Sequence, residues 1–267
     1  MNPPKSTKNK STSGTLVPAV DQACRILLTL AKQNMNKTNL TELCKAVGIH
    51  NSKGYNILYT LQQFGFVHRE KKEKRYALGP GLLSLSRKVL DSLDYKETAQ
   101  SFLDALARET GSPAFFGLRT GDGIYVVGKQ EGRGDIGITI RLGVRYPLTH
   151  GAHGKAIVAF LPERERERIL AKEKLYFHGD PSKLNRARLE KELVHCRKAG
   201  YAEDLGELNS NINAVAAPVF GSSNQLVGVV FLVGLFPKSA AKPFGRKVAE
   251  KAGMMSALLG ARIESIE

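Results

Sequence analysis

No window of this 267-residue sequence comes near the run of about 18 apolar residues that a membrane helix needs. Its opening stretch, MNPPKSTKNKSTSGTLVPAV, sets charged and polar residues where a secretory signal would need an apolar core. The expectation is a soluble, cytoplasmic protein with no membrane partner. Cysteine is scarce as well. Cys24, Cys44 and Cys196 are odd in number, far apart and without a CxxC pair, which excludes a disulfide framework and argues against thiolate metal or redox chemistry. All three are expected as buried free thiols. Nucleotide signatures are also missing. GRGDIG, residues 132–137, fits GxGxxG by letter, but the following ITIRLG reads as a strand where a dinucleotide site needs a helix, so the motif is taken as a hairpin turn. HGKA at 153–156 lacks the first glycine and the final Ser/Thr of a phosphate loop, and no GxSxG occurs. No cofactor is expected.

What the front of the chain lacks is acid. Residues 1–80 hold 13 Lys and Arg against 4 Asp and Glu, a balance of +9, whereas the other 187 residues hold 27 against 21. A total charge of +15 asks for a polyanionic partner, and its concentration in one segment says which segment meets it. A hydrophobic content of 42% is enough to fill a core, and the length suits two modest domains.

Residues 1–15 are Lys, Ser, Thr, Asn and Pro with little to bury, and read as a disordered basic arm. Ala23, Cys24, Leu27, Leu28 and Ala31 then recur at helical spacing and predict a first helix of about four turns. A second, short helix is signalled by Asn39 as cap with Glu42 three residues on, an inner stripe of Leu40, Leu43, Cys44 and Val47, and a stop at Gly48. A third is predicted over residues 51–64, its inner face Gly54, Ile57, Leu58, Leu61 and Phe64, its outer face Ser52, Lys53, Tyr55, Asn56 and Gln63. FVHRE, the charged turn KKEK and RYAL make a hairpin with Lys71, Lys72 and Lys74 at its tip. Helix, short helix, glycine turn, helix and basic hairpin is the order of a winged helix-turn-helix.

A Leu- and Ser-rich helix follows, and beyond it segments of helical period (95–110, 154–172, 183–199, 242–264) mix with strand-like ones: AFFGLR, GIYVVGKQ, IGITIRL, INAVAAPVF and LVGVVFLVG. Short glycine turns between consecutive strands point to an antiparallel sheet in an α+β domain. The divisions read from the sequence are the arm at 1–15, a DNA-binding domain at 16–80, a linker helix at 81–94 and a sensor domain at 95–267.

From about residue 16 onward the sequence resembles the IclR family of bacterial transcriptional regulators. AVDQACRILLTLA resembles the family's first helix, LTELCKAVGIHNSKGYNILYTLQQFGFV its helix-turn-helix, and YALGPGLLSLS its wing exit and linker. GVRYPLTHGAHGKAIVAFLPE, CRKAGYAEDLGE and NAVAAPVFGSSNQLVGVVFLVG follow in the family's order. The resemblance implies a winged helix-turn-helix joined to a GAF-like effector domain, working as a homodimer or dimer of dimers. Asn56 stands where relatives usually carry Arg, Lys53 where they carry Ser or Thr, and Gly54 where they carry a larger apolar residue, so no operator sequence transfers. His150 and Gly151 likewise replace a small residue and a Ser or Thr.

On this reading Asn56 pairs with adenine, Lys53 meets guanine or a phosphate, and Ser52 and Tyr55 hold phosphates of double-stranded DNA. Arg69, Lys71, Lys72, Lys74 and Arg75 of the wing add sequence-independent affinity. In the second domain, free N–H groups at a helix start near Ala152 and His153 suit the carboxylate of a small organic acid. Asp204, Ile212 and Ala214 match family pocket positions, and Phe231 and Val233 on the last strand favour an aromatic or acyl body. An enzyme reading stands beside it, in which His150, His153 and Asp204 hold a zinc ion with an open position. No catalytic residue is assigned on the preferred reading.

Overall fold

The computed structural model describes residues 15–32, 35, 37–70, 72–91, 95–133 and 138–261. The basic arm, apart from Thr15, lies outside the described residues, as do Lys71 and most of GRGDIG. The chain divides into two compact units, Met1–Ser92 and Leu93–Glu267.

The first unit holds α1 (Pro18–Leu30), α2 (Leu40–Val47), α3 (Asn51–Gln63), β1 (Val67–Arg69), β2 (Tyr76–Leu78) and α4 (Gly81–Asp91). Each start and stop has a local cause. Proline opens α1, Asn39 Oδ1 accepts the Glu42 amide at 2.9 Å to cap α2, and Gly48 closes it in the left-handed conformation at φ 77°. Strands β1 and β2 pair antiparallel from Val67↔Leu78 to Arg69↔Tyr76, and Thr38 bridges to Tyr76 beside them. The small core gathers Ile26, Leu30, Leu43, Leu58, Leu61, Val67 and Tyr76.

Two faces differ from the expected ones. Ile26, Thr29 and Leu30 are the buried residues of α1, while Cys24 and Leu28 are exposed, because the apolar arc of this helix is wider than the face it buries and period alone does not say where the buried part falls. The expectation of three buried thiols therefore fails at Cys24. Phe64 is also exposed; α3 ends before it, and its ring stacks on Phe66 at 5.9 Å.

The second unit runs α5 (Tyr95–Thr110), β3 (Ala114–Thr120), β4 (Gly123–Gln130), β5 (Arg145–Pro147), α6 (Gly151–Ala159), α7 (Glu163–Leu170), α8 (Arg186–Ala199), β6 (Ala202–Leu205), β7 (Asn213–Phe220), β8 (Leu226–Gly234) and α9 (Ala241–Leu258). Its six-stranded sheet has the order β5-β4-β3-β8-β7-β6, and every neighbouring pair is antiparallel. Alternate residues serve opposite faces. Phe115, Ala216, Val229 and Phe231 pack with α6 and α8, while Ala114, Phe116, Val215, Ala217, Val230 and Leu232 pack with α5 and α9. Covering on both sides is why β7 and β8 read as nearly unbroken apolar runs.

The helix expected over 154–172 is two helices parted at Leu161 and Pro162, since a proline cannot continue the amide ladder. ITIRLG is not a strand: its end turns, with the Val144 amide on the Arg141 carbonyl at 3.3 Å, and the edge strand β5 comes only after it. No described helix is long and apolar enough to cross a membrane.

Candidate functional site

Two surfaces carry the residues singled out above. On α3, Ser52, Lys53, Tyr55 and Asn56 are all exposed, and Tyr59, one turn beyond Tyr55, continues the same outer face. Tyr59 was missed, although its spacing from Tyr55 would have found it. Gly54 points the other way: a Cβ there would lie 2.2 Å from Cys44 Sγ, so the glycine is what lets α3 lie so close to α2. Of the wing, Lys72, Lys74 and Arg75 are exposed, with Lys74 in the left-handed region at φ 53°. Arg69 is only half exposed, its guanidinium over the Tyr76 ring at 5.4 Å. At the wing's base Glu70 pairs with Lys37 at 2.7 Å, which raises the lysine's pKa and lowers the glutamate's.

In the second unit, Ala152 and His153 from α6, Asp204 from β6, Ile212 and Ala214 at β7, and Phe231 and Val233 from β8 line one cavity of about 210 Å³. His150, Tyr146 and Leu208 share its wall. Rings follow one another around it, Tyr146 to His150 at 5.0 Å, His150 to His153 at 5.2 Å and His153 to Phe231 at 5.6 Å, and Phe231 stacks in turn on the core residue Phe115 at 5.3 Å. Burial, then the neighbouring His150, takes the His153 imidazole down to about 3, and burial lowers His150 against the pull of Asp204, so both rings are neutral near pH 7. Burial raises the Asp204 carboxyl, against the pull of Lys155. Three polar atoms on this wall are buried without a hydrogen-bond partner: His150 Nδ1, His153 Nε2 and Asp204 Oδ2.

The start of α6 differs from expectation in one respect. Asp204 Oδ2 lies 2.9 Å from where a Cβ on Gly151 would sit, so the helix N-terminus already faces a carboxyl oxygen of the chain itself. The Gly151 amide is taken by the Tyr176 carbonyl at 3.3 Å and that of Gly154 by His150 at 3.0 Å. A ligand carboxylate at Ala152 and His153 would stand beside Asp204. Gly151 itself is fixed twice over, by φ 52° and by Leu208 Cδ1 at 2.4 Å from its Cβ position.

Behind this wall the structure holds a charge cluster absent from the sequence reading. Lys155, 1% exposed, donates to Glu207 Oε2 at 2.7 Å, to Glu192 Oε2 at 3.0 Å and to the Glu203 carbonyl at 3.0 Å, so its three protons have three acceptors. Arg188 pairs with Glu192 and Glu207, and His178 Nε2 lies 2.9 Å from Glu192 Oε2. The Glu207 amide in turn donates to Asp204 Oδ1 at 2.8 Å, which ties the cluster to the cavity wall. Lys155 entered the sequence reading only within HGKA, set aside as a phosphate loop; nothing in HGKAIVAF shows that a carbonyl of β6 and carboxylates from the loop after it and from α8 converge on it.

The zinc reading fails on this geometry. Among the described residues the trio whose ligand atoms come within 4.8 Å of one another is His178, Glu192 and Glu207, not His150, His153 and Asp204. The rings of His150 and His153 are stacked with 23° between their planes, which presents faces to each other and leaves no point where both nitrogens and the carboxyl meet. In the trio that does converge, the Lys155 ammonium already supplies the positive charge.

A family model described as "Bacterial transcriptional regulator IclR C-terminal" matches residues 87–256. The glycerol operon regulatory protein of Streptomyces griseus is 30% identical over 218 residues, covering 82% of this chain and 85% of that protein. The crystal structure of an IclR transcriptional regulator from Alicyclobacillus acidocaldarius superposes with a TM-score of 0.81 at 28% identity, over 92% of this chain and all of the other. An IclR homologue from Microbacterium hydrocarbonoxydans, complexed with 4-hydroxybenzoate, shares the fold at 16% identity and a TM-score of 0.74, over 91% of this chain and all of the other. The chain belongs to the IclR family of bacterial transcriptional regulators, with a DNA-binding helix-turn-helix in front and an effector domain behind.

Proposed function

We propose that this regulator binds an operator duplex as a homodimer or dimer of dimers in the cytoplasm, and that a small organic acid in the cavity of the second unit controls that binding. The observation that carries the reading is the cavity itself: seven residues from four elements meet around about 210 Å³, with buried polar atoms that have no partner in the chain. An aromatic or acyl body suits the apolar wall of Phe231, Val233, Ile212 and Ala214. On the DNA side, Asn56 and Lys53 read base edges in the major groove while Ser52 and Tyr55 hold phosphates beside them, and Arg69, Lys71, Lys72, Lys74 and Arg75 of the wing add further phosphate contacts. The 4-hydroxybenzoate bound by a distant relative is consistent with an acid of this size.

Two measurements test it. A screen of carboxylic acids by thermal unfolding should find one that stabilises the protein by about 2.7 kcal/mol at a hundred times its Kd, and that acid should shift operator occupancy. Replacing Lys71, Lys72 and Lys74 with Ala should weaken binding to every duplex and flatten the salt slope by about 3, whereas Asn56→Ala should chiefly erase the preference among duplexes. A triple variant that binds like the wild type rules out the wing assignment.

A further inference from the structure

Resting on the reading of the cavity as the site of an acid effector, we infer that this effector is a hydroxylated acid. Its hydroxyl group, and not its carboxylate, occupies the pole formed by Asp204 and His153, donating to Asp204 Oδ2 and accepting from the imidazole.

Both side chains are buried, at 2% and 7% exposure, and each keeps one polar atom without a partner on the cavity wall. Such atoms are rarely left so unless something else completes them. Ionised, Asp204 can only accept, so the group beside it must bring a proton. A second carboxylate brings none and sets like charges side by side in a site where both imidazoles are neutral. A neutral imidazole has one donor and one acceptor nitrogen, so a hydroxyl, which donates and accepts at once, satisfies carboxyl and ring together. A metal ion shared by Asp204, His150 and His153 would need all three to converge, which they do not. A group that bridges two of them is what fits.

The carboxyl is also held so that Oδ2 is the oxygen presented. Its other oxygen takes the Glu207 amide at 2.8 Å, and Lys155 grips the same segment through the Glu203 carbonyl and the Glu207 side chain.

The test is calorimetry on the full chain near neutral pH with two matched sets: 4-hydroxybenzoate, benzoate and 4-methoxybenzoate, and 6-hydroxyhexanoate with hexanoate. In the set that binds, the hydroxy acid should be tighter than its unsubstituted partner, and than the ether, by at least about tenfold, because only it completes both groups. Asp204→Asn keeps an oxygen for the Glu207 amide but turns an NH2 group toward the ligand, and should bring the members of the set to within about threefold of one another. Equal affinities in the wild type overturn the hydroxyl assignment, whether or not the variant folds, and so does a preference that survives Asp204→Asn. If none of the five acids binds, it is the acid reading itself that falls.

Discussion

Two helices of this chain open on a histidine that makes no side-chain cap, α3 at His50 and α6 at His150. Each has a glycine four residues on whose amide returns to the histidine carbonyl, at 2.9 Å for Gly54 and 3.0 Å for Gly154. There the likeness stops. α3 turns a polar face outward beside a basic hairpin, while every residue of α6 is buried. The same local start thus serves a helix that shows its polar face to solvent and one that walls a cavity from within. What separates them is the neighbourhood. A Cβ on Gly54 would meet a side chain, Cys44 Sγ, but one on Gly154 would meet backbone, the Leu148 carbonyl at 2.6 Å. Lys53 of α3 ends in solvent, and Lys155 of α6 ends among carboxylates.

The lysines give the largest test of that contrast. Lys155→Met removes the counter-charge of Glu192 and Glu207 and should destabilise the second unit by about 3–5 kcal/mol in denaturant titration, whereas Lys53→Met should leave stability unchanged and alter only DNA binding. Similar stability losses for the two would break the comparison.

The glycines give a smaller effect with a sign to check. Alanine normally stabilises a helix over glycine by about 1 kcal/mol, but Gly54→Ala should destabilise the first unit by about 1–3 kcal/mol through the clash with Cys44. In a Cys44→Ala background the same change should recover most of that loss. No recovery would mean that the sulfur is not the obstacle.

The smallest effect concerns acid. His153 is neutral in the fold, with its pKa down to about 3, while the unfolded chain takes up a proton as pH falls through about 6.5. Its contribution is therefore complete above about 6.5 and declines toward 3, by about 1.4 kcal/mol for each pH unit once well below 6.5. His150 acts in the same sense, and Asp204, raised by burial, opposes them. His153→Phe should flatten the acid limb of stability, and an unchanged limb would assign the acid sensitivity to other groups.

Much of the first unit was legible in sequence because its signals are local: the Asn39 and Glu42 cap, the Gly48 stop, and cations at a hairpin tip. α1 was misread because one broad apolar arc leaves the choice of buried edge to tertiary packing, which buried Ile26 and exposed Leu28. The cavity residues were named through resemblance to relatives, not through any period in the sequence. β6 was missed because AEDL is four residues long and half polar, and with it went the approach of Asp204 to Gly151. Pro162 was a visible break that helical period overrode. The ring of partners around Lys155 comes from residues about 40–50 positions away, beyond the reach of any local pattern.

That anchored lysine also bears on time. The wall carrying Asp204 cannot swing outward without parting one buried ammonium from two of its three acceptors, the Glu203 carbonyl and the Glu207 carboxylate, and such ruptures are rare events. That leaves, as the rim free of such an anchor, residues 138–140, which line the cavity outside any sheet ladder. Segments of that kind move in nanoseconds to microseconds. With the effector bound as proposed, how promptly the regulator follows its rise or fall would be set at that rim, while the anchored side would keep the shape each molecule is compared against.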